Sequence, residues 1–268
     1  MADWSSKTAL ITGASSGIGA AAARFLAARG LRVLLTARRG ERLQALEKEI
    51  GSLNGRVEIF TADIGKPRER INLFESITAS QQVDILINNA GFGWYGYFAS
   101  MPWETARQLI AVNIEALAHL SSLFLPPMQA RGSGHIINIG SIAGGFPNQG
   151  IAMYSASKAF LDAFTTSLHR ELRGSGVHAS VMRLGPVQTE FFDQARRLEN
   201  GGSVPAERMA VGVERVNQAL WRLLNHPRRV VYVPGWLRVS RFTEPVLGDL
   251  VDLFGPLLLR RSEKSRRE

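Results

Sequence analysis

KTALITGASSGIGAAAARFLAARG, residues 7–30, begins with a short apolar run, crosses a glycine cluster and continues as an alanine-rich helical pattern. Lys7 to Thr12 reads as a strand and Ile18 to Arg29 as a helix, which puts the turn between them at Gly13, Gly17 and Gly19. A phosphate-binding turn needs residues without side chains at such places. Gly13 lets the chain leave the strand sharply, while Gly17 and Gly19 let backbone approach a pyrophosphate and the helix pack closely. The helix N-terminus then offers unpaired amide N–H groups and the positive end of its dipole, with Ser15, Ser16 and Ile18 completing the loop. The spacing Gly-x-x-x-Gly-x-Gly departs from the general Gly-x-Gly-x-x-Gly fingerprint. Its position directly after the first strand is what points to a dinucleotide site.

The same alternation continues outward from this turn. Strand-like runs at Arg32–Thr36, Val57–Thr61 and Asp84–Asn88 alternate with helical patterns at Glu41–Ile50 and after Pro67. A long helix from Pro102 to Gln129, a strand at His135–Ile139, a second long helix from Gly150 to Arg173 and a strand at His178–Arg183 follow. An irregular stretch then reaches Arg208, before a helix to Leu224 and a last strand at Arg229–Val233. Near-continuous apolar strands separated by helices predict an α/β fold: a doubly wound, seven-stranded parallel sheet of the Rossmann type in a single domain. Residues 1–234 are expected to form this nucleotide-binding and catalytic domain, and residues 235–268 a helical extension with a basic tail.

Bulk composition narrows the function classes. A chain of 268 residues with 45% hydrophobic content can bury one large core. With no cysteine, disulfides, thiolate catalysis and thiolate metal sites are excluded, and no metal is expected. The start lacks a basic flank before a long apolar stretch, and no run approaches the roughly 18 to 20 apolar residues of a membrane-spanning helix. The expected setting is therefore intracellular and cytoplasmic. The net charge of +9 invites a nucleic-acid reading, but the arginines are spread along the chain without a zinc-finger or aromatic RNA-binding signature, so no nucleic-acid partner is expected.

Which dinucleotide binds is read at the end of the second strand. A site for NAD usually places an acidic residue there for the ribose 2′-hydroxyl. Here the strand runs into Thr36-Ala37-Arg38-Arg39, with two arginines and no carboxylate. Guanidinium groups suit a 2′-phosphate through charge-assisted, often bidentate bonds, so NADP(H) is expected over NAD(H).

Further motifs follow in order: Asp63-Ile64, Asn88-Asn89-Ala90-Gly91, Asn113, Ser141, Tyr154-x-x-x-Lys158 and Gly185-Pro186-Val187-Gln188-Thr189. Four positions is one helical turn, so Tyr154 and Lys158 would share a face, and a nearby cation favours phenolate. Taken singly, each motif has a duller reading; Ser141 could merely cap a turn and Asn113 could bond back to its own helix. As an ordered set, with the glycine loop, they resemble the short-chain dehydrogenase/reductase family in its single-domain form, over about Lys7 to Pro234. Leu184 stands where that family usually has a proline.

The resemblance implies roles. Asp63 and Ile64 would meet the adenine, and Asn89, Ala90 and Gly91, after Asn88, would close the strand end near the adenosine ribose. Val187 and Thr189 would hold the nicotinamide carboxamide, and Lys158 the nicotinamide ribose. Asn113, Ser141, Tyr154 and Lys158 would be catalytic: Tyr154 gives or takes the proton, Lys158 lowers its pKa, Ser141 bonds the carbonyl oxygen and Asn113 holds a relay water. The implied enzyme is an oxidoreductase that reduces a ketone or aldehyde, or runs the reverse oxidation. It would work as a homodimer or homotetramer through its two long helices.

Phe92, Trp94, Tyr95, Phe146 to Gln149, Phe191 and Phe192 are candidate pocket walls, mostly apolar, and favour a hydrophobic substrate. In the tail, Leu247, Leu250, Val251, Phe254 and Leu258 follow helical spacing, with Asp249 and Asp252 off that stripe and Gly255-Pro256 as a breaker. The last nine residues, RRSEKSRRE, carry five basic and two acidic groups, net +3. One reading makes this tail a weak peripheral membrane anchor; the other folds it over the cleft or a subunit interface. Two rival functions stay open from sequence: a non-catalytic NADP-binding regulator or scaffold, and a sugar-nucleotide epimerase or dehydratase.

Overall fold

The computed structural model describes residues 3–202, 205–242 and 252–253. Seven strands form one parallel sheet: β1 Thr8–Thr12, β2 Arg32–Ala37, β3 Val57–Thr61, β4 Ile85–Asn88, β5 Gly134–Ser141, β6 Val177–Leu184 and β7 Val230–Val233. Their spatial order is β3-β2-β1-β4-β5-β6-β7, with every neighbouring pair parallel. The chain winds outward from β1 to β3, then returns to β4 on the other side of β1. That reversal opens a crevice at the carboxyl ends of β1 and β4, where α/β sheets bind ligands.

The strands are apolar throughout because both faces are covered. Ala9 and Ile11 pack beneath α1 (Gly17–Ala27), α2 (Gly40–Ser52) and α8 (Val213–Asn225). Leu10, on the opposite face, packs beneath α3 (Pro67–Thr78), α5 (Leu117–Arg131) and α6 (Ala152–Glu171). Small residues bring α1 close to the sheet; Ala20, Ala22, Ala23 and Ala27 are all buried. Inside the second layer, Asn88 Nδ2 donates to Asn138 Oδ1 at 2.9 Å, and Asn138 Nδ2 donates to Thr165 Oγ1 at 2.8 Å. This pins β4, β5 and α6 together through buried amides, of which Asn88 Oδ1 alone accepts no hydrogen bond.

Three local features differ from the sequence reading. The long helix is α4 (Trp103–Ile110) joined to α5 through a π-helical segment, Ala111–Ala116, which widens the helix around Asn113. By length and composition this run, Trp103–Arg131, is apolar enough to cross a membrane, with a mean hydropathy of 1.5, contrary to the expectation that no segment comes near. Leu117, Leu120, Phe124 and Met128 account for that apolarity: they are buried against the sheet. The stretch read as irregular before Arg208 contains a two-turn helix, α7 (Phe191–Arg197).

After β7, Gly235–Phe242 forms a short helical turn whose Leu237 is buried against Gly185. Asp252 and Leu253 are helical and exposed. The remaining tail positions, Leu247, Asp249, Leu250, Val251, Phe254, Gly255, Pro256, Leu258 and the closing basic run, lie outside the described residues.

Candidate active site

The crevice at the β1–β4 switch is a cleft of about 560 Å³. Its floor is the glycine turn. Gly13 has a φ of +66°, and an added Cβ would stand 2.8 Å from Ala90 Cα, so only glycine fits between the first strand and the Asn-Asn-Ala-Gly turn. That turn is fixed in return: Asn89 Nδ2 donates to Thr12 O at 2.8 Å, and Asn89 N and Ala90 N both donate to Thr12 Oγ1 at 3.0 Å. All residues assigned to cofactor from sequence line this cleft except Gly19. Gly19 lies behind the loop, where a Cβ would come within 2.6 Å of Asn89 Nδ2 and of Gly13 O. It therefore lets the helix pack rather than touching a ligand.

At the other end of the cleft from Tyr154, Asp63 lines the wall and its Oδ1 accepts from Gly65 N at 3.0 Å. Arg70, buried beneath this turn, donates to Ile64 O at 2.8 Å and to His119 Nδ1 at 3.0 Å, which sets the position of Ile64. Arg38 is exposed at the rim. Arg39 bends back over the glycine loop, donating from Nε to Ser15 Oγ at 3.1 Å and from Nη2 to Ser16 Oγ at 2.6 Å. These residues fit a dinucleotide phosphate: a backbone cradle that a Cβ would fill, with a guanidinium anchored beside it.

At the other end, Ser141, Tyr154 and Lys158 come together. Ser141 ends β5, accepts from Ala143 N at 3.2 Å, and is hydrogen-bonded to the Tyr154 hydroxyl. Lys158 donates from Nζ to Ile139 O at 2.9 Å, and this nitrogen lies 5.7 Å from the Tyr154 ring centroid. Burial pushes the Tyr154 phenol up to about 12, with the Ser141 hydrogen bond opposing it. The Lys158 ammonium is pushed down to about 8 by burial, opposed by the charge of Asp162 one turn along α6. This corrects the sequence expectation for the protein by itself: Tyr154 keeps its proton, because desolvation outweighs the Ser141 hydrogen bond.

Asn113 does not line the cleft. Its Nδ2 donates to Phe92 O at 3.0 Å and Ser157 Oγ at 3.1 Å, while its Oδ1 accepts from Phe92 N at 3.1 Å. With both amide hydrogens used, the side chain clamps the turn after β4 to α6. Only the second lone pair of Oδ1 is left for a water.

Beyond Tyr154 the cleft wall is rich in aromatic side chains, with Gln108, Gln194 and Arg197 among them. Phe92, Trp94, Phe146, Asn148, Phe191 and Phe192 line it, whereas Tyr95, Pro147 and Gln149 do not. Phe191 lies against Tyr154, with ring centroids 5.6 Å apart. Trp94 is fixed by donating from Nε1 to Glu199 O at 3.0 Å, which joins the turn after β4 to the segment after α7. Tyr95 is buried and its backbone O accepts from Gly202 N at 2.7 Å.

Sequence reasoning left three neighbours unassigned: Asp162, Arg183 and Glu190. Arg183 Nε donates to Asp162 Oδ1 at 3.0 Å behind Lys158. Glu190 accepts from Arg39 and Arg42. The i+4 spacing of Lys158 and Asp162 was available as a signal. The meeting of Glu190 with two arginines about 150 positions earlier had none, since it depends on tertiary folding.

Comparison with known proteins agrees with this geometry. The short chain dehydrogenase family model matches residues 7–200. The NADP-dependent 3-hydroxy acid dehydrogenase of Salmonella typhi is 34% identical over 231 residues, covering 82% of this chain and 90% of the relative. A short-chain dehydrogenase from Sphingobium yanoikuyae solved in complex with NADPH superposes with a TM-score of 0.80 at 30% identity, covering 92% of this chain and 96% of that one. A Burkholderia phymatum short-chain dehydrogenase/reductase solved with NAD has a TM-score of 0.84 at 22% identity over 93% of this chain and 96% of that one, a likeness of fold alone. The chain belongs to the short-chain dehydrogenase/reductase family. It is an oxidoreductase built on a single Rossmann-type domain.

Proposed function

We propose that this enzyme reduces a hydrophobic ketone or aldehyde with NADPH, and oxidises the corresponding alcohol in reverse. The observation that carries the reading is the meeting of Ser141, at the end of β5, with Tyr154 and Lys158 in one cleft whose wall is rich in aromatic side chains. When bound, the reduced nicotinamide supplies the hydride to the carbonyl carbon. The protein's share is to hold the carbonyl and deliver one proton to its oxygen.

Ser141 Oγ donates to the carbonyl oxygen and stabilises the negative charge that grows there. Tyr154 transfers its phenolic proton to that same oxygen, completing the alcohol. A phenol held near 12 is protonated at neutral pH, which suits the donor role. Lys158, cationic below about 8, stabilises the phenolate left behind and would hold the ribose of the cofactor. Asn113 fixes the Phe92 turn against α6, and its remaining lone pair can hold a water for reprotonation.

Arg39 and Arg38 support NADP(H) as the cofactor, because both cations line the cleft at the end of β2 with no carboxylate on that strand end. The name of the Salmonella relative points the same way. Val187 and Thr189 would meet the nicotinamide. A homodimer or homotetramer through α5 and α6 and a cytoplasmic setting belong to the same reading. So does a division of the chain at residue 234, with the remainder as an extension.

The test is NADPH oxidation across ketones and aldehydes graded by chain length and ring content. Activity that rises with apolar size supports the reading. Turnover with a nucleotide sugar and none with any carbonyl would overturn it.

A further inference from the structure

An ion-pair cluster crosses the mouth of the cofactor cleft. On one lip, Arg39 ends the turn after β2 and Arg42 sits in the first turn of α2. On the other, Glu190 stands between Thr189 and α7. Arg42 Nη1 donates to both Glu190 oxygens, at 2.8 and 2.7 Å, and Arg39 Nη1 donates to Oε2 at 3.3 Å. Arg39 also holds Ser15 of the glycine loop with Nε and Ser16 with Nη2. One carboxylate thus ties the adenosine end of the cleft to the segment that leads into Phe191, whose ring packs on Tyr154.

Neither packing nor the proposed proton transfer requires this arrangement. All three side chains are partly exposed, so burial does not force the pairing. The chemistry instead presents a competition. The guanidinium of Arg39 is already oriented on the phosphate loop, and a 2′-phosphate arriving beside it would carry more charge and more acceptor oxygens than Glu190. Glu190 and a 2′-phosphate would compete for the charge of the same two guanidinium groups. A dinucleotide without the 2′-phosphate offers those donors only a neutral hydroxyl, and leaves the carboxylate in place.

Resting on the NADP reading, we propose that Glu190 is a specificity-determining residue. It is a carboxylate latch across the cleft, which 2′-phosphorylated dinucleotides displace from Arg39 and Arg42 and unphosphorylated ones do not. The latch makes binding of the phosphorylated cofactor coincide with release of the Thr189–Phe191 segment over Tyr154. It also sets a cost on that binding, which the variant without the charge would lack.

Calorimetric titration of the full chain with two fragments isolates the effect: adenosine 2′,5′-bisphosphate, and 5′-AMP, which lacks only the 2′-phosphate. Glu190→Gln keeps the shape and removes the charge, and thermal unfolding of the variant checks that it folds. The expected result is that Glu190→Gln binds the bisphosphate about 3- to 10-fold more tightly, with 5′-AMP changed by less than about twofold. Unchanged or weaker bisphosphate binding in a folded variant, while the wild type still prefers the bisphosphate, would overturn the latch alone. Equal binding of the two fragments by the wild type would overturn the NADP reading, and the latch with it.

Discussion

Replacing Lys158 with methionine should abolish activity and stabilise the fold. Lys158 is 7% exposed, and its ammonium donates to a single carbonyl, Ile139 O. Burial lowers it from 10.5 to about 8. At about 1.4 kcal/mol per pH unit, holding that charge in the folded protein costs ~3 kcal/mol at neutral pH. Methionine fills much of the same volume without the charge. Against this gain stands the lost hydrogen bond, about 1 kcal/mol, the attraction to Asp162 being already contained in the lowered value. The net expectation is a gain of about 1–2 kcal/mol, or a rise in Tm of roughly 2–6 °C for a domain of this size.

The pH dependence gives a second check. Below pH 8 both folded and unfolded wild type carry the charged lysine, and the full penalty applies. Between about 8 and 10.5 the folded form sheds its proton while the unfolded form keeps it, so wild-type stability rises toward that of the variant. Thermal unfolding of both proteins from pH 7 to 10.5 would measure the gap. A Lys158→Met variant less stable than wild type at pH 7, or a gap that widens as pH rises, would refute the reasoning.

Other outcomes follow from the same geometry. His135 is buried against Ser180, and burial pushes it down to about 3 from 6.5. The unfolded chain therefore gains a proton that the folded one refuses as pH falls below 6.5. His135→Gln should lose about 3 kcal/mol less stability than wild type between pH 6.5 and 4, as read by urea unfolding at each pH. Arg39→Ala should raise the KM for NADPH about 10- to 100-fold and change that for NADH little, measured by initial rates with one ketone. Alcohol oxidation needs the Tyr154 phenolate, which burial makes scarce; kcat/KM for oxidation should climb from pH 7 to 9, and a flat profile would contradict that role.

Most of the fold was legible because it depends on local pattern. Runs such as Ala9-Leu10-Ile11 are buried on both faces, and nothing but a central parallel strand suits them. The glycine turn, and the placing of Ser141 at a strand end with Tyr154 and Lys158 one turn apart, could likewise be read from spacing. The π-helical turn around Asn113 could not: its sequence, AVNIEA, has ordinary helical spacing, and the widening is tied to long-range bonds from Asn113 to Phe92 and Ser157. The sign of the Tyr154 shift also escaped, because sequence gives the neighbouring charge and not the depth of burial. α7 was missed since its seven residues, FFDQARR, are too short for a helical period to stand out.

The most direct measurement is the turnover of Tyr154→Phe on a ketone accepted by the wild type, with NADPH binding followed separately by calorimetry. Loss of the phenolic proton should lower kcat by about 10² to 10⁴-fold while the cofactor still binds. A variant that binds NADPH and keeps nearly full turnover would contradict Tyr154 as the proton donor.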